Sequence, residues 1–173
     1  MIQIIGIALI MAATTLAGAF YANRPLFRIK DLKSIKRALI ILKCEIVYAQ
    51  TELPIAMINI ARRSEEPASF IFKDLGEGLK KIENGKGVSD IWEEALANNE
   101  KHSFMVKEDY EYLTSFGKTL GYLDTTMQTD NIEVAIKYIE DKVEELEGTA
   151  YKNKKMYQSL GVIFGALLVV ILL

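Results

Sequence analysis

The sequence is poor in the residues on which many enzymes and metal sites depend. Among 173 residues it has one cysteine, Cys44, one histidine, His102, and three prolines. A single cysteine excludes an intramolecular disulfide and a multi-cysteine metal site. A single histidine leaves His-based metal clusters and Ser–His or Cys–His catalytic sets incomplete. We therefore predict a protein without catalytic residues, a metal, a cofactor or a small-molecule substrate.

Charge is absent from both ends of the chain. All 21 Lys and Arg and all 23 Asp and Glu residues lie between Arg24 and Lys155. The flanking segments 1–23 and 156–173 are mostly apolar, and about 20 apolar residues in a helix cross a bilayer. The sequence thus predicts two transmembrane anchors around a water-facing domain, 24–155. A cleaved signal peptide is the alternative for the N-terminus, since Ala17-Gly18-Ala19 resembles a cleavage site, but no basic residue precedes Arg24.

The charges inside the domain are unevenly distributed. Six basic residues and one acid lie between Arg24 and Arg37, and Lys152, Lys154 and Lys155 precede the second anchor. Under the positive-inside rule both clusters predict a two-pass membrane protein whose central domain is cytoplasmic. Between residues 38 and 151, 22 acidic residues outnumber 12 basic ones. Such a surface would repel nucleic acid and favour a basic partner.

Apolar residues recur at helical spacing along nearly the whole chain, so the predicted fold is all-α, with about six helices in a bundle. The first helix leaves the N-terminal anchor through Pro25 and carries the stripe Leu32, Ile35, Leu39, Leu42, Ile46 and Ala49. Cys44 is expected in the core beside it. In the second helix Thr51 is the expected cap, Pro54 lies in the first turn, and Ile55, Ile58 and Ala61 face inward.

Four more helices follow in the prediction. The third begins at Ser64–Pro67, ends at Asn84-Gly85 and buries Phe70, Ile71, Leu75, Leu79 and Ile82. The fourth opens at Ser89-Asp90 and carries Trp92, Ala95 and Leu96. The fifth runs from about Val106 to Gly121, with Tyr110, Leu113, Phe116, Gly117 and Leu120 on one face. The last begins at Asp124 and Thr125, carries the seam Ile132, Ile136, Ile139, Val143, Leu146 and Ala150, and continues into the second anchor.

Small residues and acidic residues provide the candidate contact sites. Gly117 and Gly121 allow close approach of another backbone, either a neighbouring helix of the bundle or a partner. In the predicted anchors, Thr14, Gly18 and Ala22, and Gly161 and Gly165, form small-residue faces for transmembrane helix contact. Pairing of the anchors within one chain and between chains both stay open. The acidic run Glu140, Asp141, Glu144 and Glu145 is either a solvated helix face or a docking face.

Residues along the whole chain resemble one known family, the stage III sporulation protein AB family of endospore-forming bacteria. The matching residues are Gly6, Thr14-Thr15, Arg24-Pro25, Arg28, Leu32, Ala38-Leu39, Leu42, Glu45-Ile46, Tyr48, Thr51, Leu53, Ala56, Trp92 with Glu93-Glu94, Phe116 to Gly121, Asp124, Gln128 and Ser159-Leu160-Gly161. The chain departs from the pattern at Glu52-Leu53-Pro54, where the proline follows the leucine.

The resemblance implies a cytoplasmic bundle similar to the domains of the F-type platform proteins of type II secretion and type IV pilus machines. It also implies residence in the mother-cell membrane, within a secretion-like sporulation channel. The implied partners are other stage III A proteins, above all a companion ATPase, stage III sporulation protein AA, and self-association is left open. The leading hypothesis is a non-enzymatic membrane platform whose acidic face docks the ATPase. The alternative is a membrane-bound sensor or regulator that relays a signal through the last helix.

Overall fold

The computed structural model describes the backbone of residues 2–81, 86–120 and 125–172, and it describes the side chains of residues 6, 9, 11–81, 86–120, 126–150, 156, 159, 163, 167 and 169. Within these residues the chain forms six α-helices and no strand, as predicted. The helices are α1 (Ile2–Cys44), α2 (Leu53–Arg63), α3 (Ala68–Lys80), α4 (Val88–Asn99), α5 (Lys107–Gly117) and α6 (Thr125–Leu172). A π-helix, Glu45–Ala49, follows α1, and a 3₁₀ turn, Glu100–His102, follows α4.

The chain divides into two compact units. The terminal unit consists of Met1–Phe27 and Glu144–Leu173, and the core unit consists of Arg28–Val143. In the terminal unit Ala22 and Ala150 are buried, whereas Leu9 and Leu16 are exposed. Among the described residues, no helix is both long enough and apolar enough to cross a membrane. The anchors 1–23 and 156–173, part of which lies outside the described side chains, stay predictions.

Helix α1 contains Pro25 and places one apolar stripe in the core unit. Leu32, Ile35, Leu39 and Leu42 are buried, as their spacing predicts. The stripe does not continue to Ala49, because the wider π-turn after Cys44 changes the phase of the side chains. Cys44 is exposed, and its assignment to the core was wrong. It lies two residues beyond Leu42, about 200° around the helix, and so points away from the stripe.

Helix α2 buries a different face from the one predicted. Ala56, Met57 and Ile60 are buried, whereas Ile55 is 46% exposed and Ile58 and Ala61 are only half-buried. Both sets of residues have helical spacing and similar apolar character, so periodicity alone selected the wrong one. The cap was also wrong, since the helix begins at Leu53 with Glu52 before it. Pro54 lies in the first turn as predicted.

The other helices supply most of the remaining core. Their buried residues include Ile71, Phe72 and Leu75 of α3, Trp92 and Leu96 of α4, Leu113 and Phe116 of α5, and Ile132, Ala135 and Ile139 of α6. Phe70, predicted to face inward, lies at the surface. Helix α5 ends at Gly117, earlier than predicted, and a turn continues to Leu120. Ile82, Asn84, Gly85, Gly121 and Asp124 lie outside the described residues.

Candidate functional site

Of the predicted pair Gly117 and Gly121, the structure describes Gly117, which lies against Trp92. A Cβ atom at Gly117 would lie 1.9 Å from Cδ1 of the Trp92 indole. That ring is fully buried, contacts Phe72 and Phe116 edge to face, and donates from Nε1 to the Leu113 carbonyl at 2.7 Å. Gly117 therefore serves close contact inside the bundle, which was one of its two predicted roles.

A buried ion pair joins α1 to the start of α5. Arg28 donates from Nε to Asp109 Oδ2 at 2.8 Å and from NH2 to Oδ1 at 2.7 Å. Only 1% of the Asp109 side chain is exposed, and its Oδ2 also accepts the Val106 N–H at 2.9 Å. The hydrogen bond to Asp109 raises the pKa of Arg28 above its ordinary value. This pair fixes the N-terminus of α5 on α1.

One turn further along α1, a second buried carboxylate holds the segment before α5. Asp31 accepts the Phe104 N–H at 2.6 Å and the Ser103 hydroxyl at 3.1 Å. Burial raises the pKa of the Asp31 carboxyl despite these two hydrogen bonds. Burial likewise raises the pKa of the Tyr110 phenol on α5. Two residues of α1, Arg28 and Asp31, thus attach the 103–109 segment to the bundle.

A third buried acid stabilises the π-helix. Glu45 accepts the Thr51 hydroxyl at 2.8 Å, and Arg63 lies 3.6 Å from its other carboxylate oxygen. Its backbone carbonyl accepts the N–H groups of Gln50 and Thr51, and Gln50 has a left-handed φ of 48°. Thr51 is therefore used to close the turn between α1 and α2, and not to cap α2.

The predicted acidic docking residues are all exposed and occupy consecutive turns of α6. Glu140 lies 3.6 Å from Lys36, and Asp141 lies 2.8 Å from Lys137. Both belong to the core unit, whereas Glu144 and Glu145 belong to the terminal unit. Exposed ion pairs of this kind contribute little to stability and leave the carboxylates open to exchange of partners.

The small-residue faces predicted for the ends are only partly described. On α1 Ala22 is buried, while Thr14 and Gly18 are half-buried, and the Thr14 hydroxyl donates to the Met11 carbonyl at 3.1 Å. Gly161 and Gly165 belong to the helical backbone of α6, but their surroundings lie outside the described part of the chain, as does Gly121. Their predicted roles stay predictions.

A surface groove between α2 and α3 was missed at the sequence level. It has a volume of about 320 Å³ and is lined by Ile58, Ala61, Arg62, Ser69, Phe70, Lys73 and Glu77. Its apolar lining consists of residues that periodicity had assigned to the core. The sequence did contain a signal for this groove. Helix α2 has apolar residues on more than one face, whereas a helix with a single buried stripe needs them on one face only, and the surplus apolar surface indicates a contact site. The ranges 2–81, 86–120 and 125–172 contain no group of three or more metal-ligating side chains.

Comparison with known proteins gives one consistent result. The family model described as stage III sporulation protein AB matches residues 3–173. A relative from Bacillus subtilis (strain 168), stage III sporulation protein AB, is 31% identical over 177 residues and covers all of both chains. A solved structure of stage III sporulation protein AB (SpoIIIAB) is similar with a TM-score of 0.65 and 28% identity, over 72% of this chain and 97% of that one. The chain therefore belongs to the stage III sporulation protein AB family, as its residues had indicated.

Proposed function

We propose that this member of the family is a non-enzymatic platform in the mother-cell membrane. The core unit would project into the mother-cell cytoplasm, hold other components of a secretion-like sporulation channel, and dock a cytoplasmic ATPase. The family supports a role in sporulation. The platform role extends that assignment on the basis of the charge distribution and the resemblance to F-type platform domains.

One observation carries the proposal. Helices α1 and α6 each join an uncharged chain end to the charged middle of the sequence without interruption. A platform that must hold a soluble partner at a membrane needs this continuity, because a helix transmits position along its axis better than a flexible linker does. The basic residues that flank both ends supply the orientation, with the middle of the chain cytoplasmic.

Topology is tested by reporters in sporulating cells. A reporter that is active only outside the cytoplasm is fused after Leu173, and a second, cytoplasmic reporter is inserted near Lys86, an exposed residue between α3 and α4. We expect both to be active. An inactive reporter after Leu173, with the fusion protein present at normal level, would contradict the two-pass arrangement. Proteinase treatment of intact protoplasts provides an independent check.

ATPase docking is tested by charge reversal on α6. Two double variants, Glu140→Lys with Asp141→Lys and Glu144→Lys with Glu145→Lys, are compared in a pull-down of the companion ATPase from sporulating cells. We expect at least one of them to reduce recovery about tenfold, since each reversal converts an attraction into a repulsion. The matched control, Glu93→Lys with Glu94→Lys, reverses two exposed acids on α4. Equal recovery with all three variants would reject the acidic run as the docking face.

A further inference from the structure

The groove between α2 and α3 has the character of a helix-binding site. Ile58 and Ala61 of α2 and Phe70 of α3 supply apolar surface, and Ile55, one turn earlier on α2, is 46% exposed. Grooves of this kind bind the apolar face of a helix, whose side chains enter at intervals of three and four residues. Exposed apolar surface beside polar residues is typical of interaction sites.

The charges at the groove define what it can accept. Arg62 lines the groove and, among the described residues, has no ion-pair partner. Lys73 and Glu77 on the other side are 3.9 Å apart and partly neutralise each other. The uncompensated charge of the groove is therefore positive, so an occupant should carry a carboxylate between apolar side chains.

The chain itself presents such a helix face. On α6 Met127 is 57% exposed, Asp130 is exposed and Val134 is 63% exposed, at spacings of three and four residues. This face, here called the α6 stripe, lies opposite the buried residues Ile132, Ala135 and Ile139. Asp130 also has no ion-pair partner within the described residues. The α6 stripe therefore has an acid between two exposed apolar side chains.

We propose that the α6 stripe of one copy docks into the α2–α3 groove of a second copy. Val134 and Met127 would contact Ile58 and Phe70. Asp130 would pair with Arg62, so that two side chains without an ion-pair partner among the described residues neutralise each other. Met127 and Val134 are seven residues apart, about 10.5 Å along a helix, and Asp130 lies between them. Both sites belong to the core unit.

The proposed contact is heterologous, because a groove on one copy receives a stripe from the next. A row of copies keeps one free groove at one end and one free stripe at the other, so such contacts generate rings or open helical assemblies instead of closed pairs. This self-association goes beyond the platform function and does not depend on an ATPase.

Cysteine crosslinking tests the geometry in full-length protein in membranes. In a Cys44→Ser background, one copy carries Ser69→Cys in the groove and a differently tagged copy carries Val134→Cys on the α6 stripe. After oxidation we expect a disulfide species that contains both tags, and none when either variant is present with itself alone. Ile40→Cys, an exposed position on α1, replaces Ser69→Cys as the control and should give no crosslink with Val134→Cys.

Charge exchange tests the predicted ion pair. Arg62→Glu should reduce the mixed-tag species about fivefold, and adding Asp130→Arg should restore it. Folding of each variant is checked by the fluorescence of Trp92, and exposed Arg62→Cys replaces Ser69→Cys if that variant does not fold. Crosslinking of Ser69→Cys to itself, its capture of only other proteins, or no crosslink at all would overturn the proposal. The topology and pull-down results are independent of all these outcomes.

Discussion

Arg28 and Asp109, 81 residues apart in the chain, join through two hydrogen bonds of 2.8 and 2.7 Å. Asp109 is almost completely buried, and Arg28 is 15% exposed. The pair therefore behaves as an interior ion pair, whose separate members are far less favourable than the two together. Its position at the first turn of α5 makes this helix depend on a residue of α1.

Replacing Arg28 by Ala should destabilise the core unit by about 3 kcal/mol, because it leaves the Asp109 carboxylate buried without a cation. The free energy of unfolding is measured in denaturant through the fluorescence of Trp92, the one tryptophan of the chain. Lys107→Ala, which removes an exposed ion pair with Glu111, is the control and should change stability by less than about 0.5 kcal/mol. If both variants changed the free energy of unfolding equally, the buried Arg28–Asp109 pair would contribute no more to stability than an exposed ion pair.

Replacing Gly117 by Ala should also destabilise the core unit, by about 1–3 kcal/mol, although alanine favours helix. The new methyl group meets the Trp92 indole, which Phe72, Phe116 and the Leu113 carbonyl hold in place. Gly148→Ala on α6 meets nothing within 4 Å and should leave the thermal unfolding temperature unchanged or higher. A neutral Gly117→Ala would mean that Trp92 can move aside.

Replacing Thr51 by Val should cost about 1 kcal/mol, because the buried Glu45 carboxylate loses a hydrogen-bond donor. Thr51→Ser keeps the hydroxyl and should retain most of the stability. Denaturant midpoints of the two variants and of the unsubstituted protein are compared by Trp92 fluorescence. A valine variant as stable as the unsubstituted protein would mean that the hydrogen bond from the Thr51 hydroxyl to Glu45 does not stabilise the fold.

Asp31 predicts a specific dependence of stability on pH. Burial raises the pKa of its carboxyl in the folded protein, so the folded state binds a proton that the unfolded state has released. Its stabilising contribution is therefore complete below the ordinary aspartic pKa of about 3.9 and is lost as pH rises through the raised value. Asp31→Asn, which stays neutral, should gain stability relative to the unsubstituted protein as pH rises through this window.

Denaturant midpoints of Asp31→Asn and of the unsubstituted protein are measured from pH 3.5 to 7, and their difference is followed with pH. The control is the same midpoint difference for Asp130→Asn, which changes an exposed carboxyl. The difference for Asp130→Asn should stay nearly constant. A difference for Asp31→Asn that falls as pH rises would mean that the hydrogen bonds from Phe104 and Ser103 outweigh burial.

Local pattern predicted the helices well, because Trp92, Leu96 and the α1 stripe follow the 3.6-residue period closely. It selected the wrong buried face on α2, because Met57 and Ile60 form one apolar stripe with helical spacing and Ile55 and Ile58 form another. It also failed where a π-turn altered the phase after Cys44. Arg28 was recognised as a residue of the family pattern, but no local signal connects it to Asp109. The groove arises from the packing of α2 against α3, which the pattern of neither helix alone predicts.

The long sequence separation of the Arg28–Asp109 pair has a consequence for synthesis on the ribosome. The leading part of α1 is complete early, but its ionic partner and the buried residues Ile132, Ala135 and Ile139 emerge much later. Until then the buried residues of α1 lack these later parts of the core, and contacts of such long range form slowly. The nascent chain therefore passes through a long interval with exposed apolar surface, in which chaperone binding would be most effective.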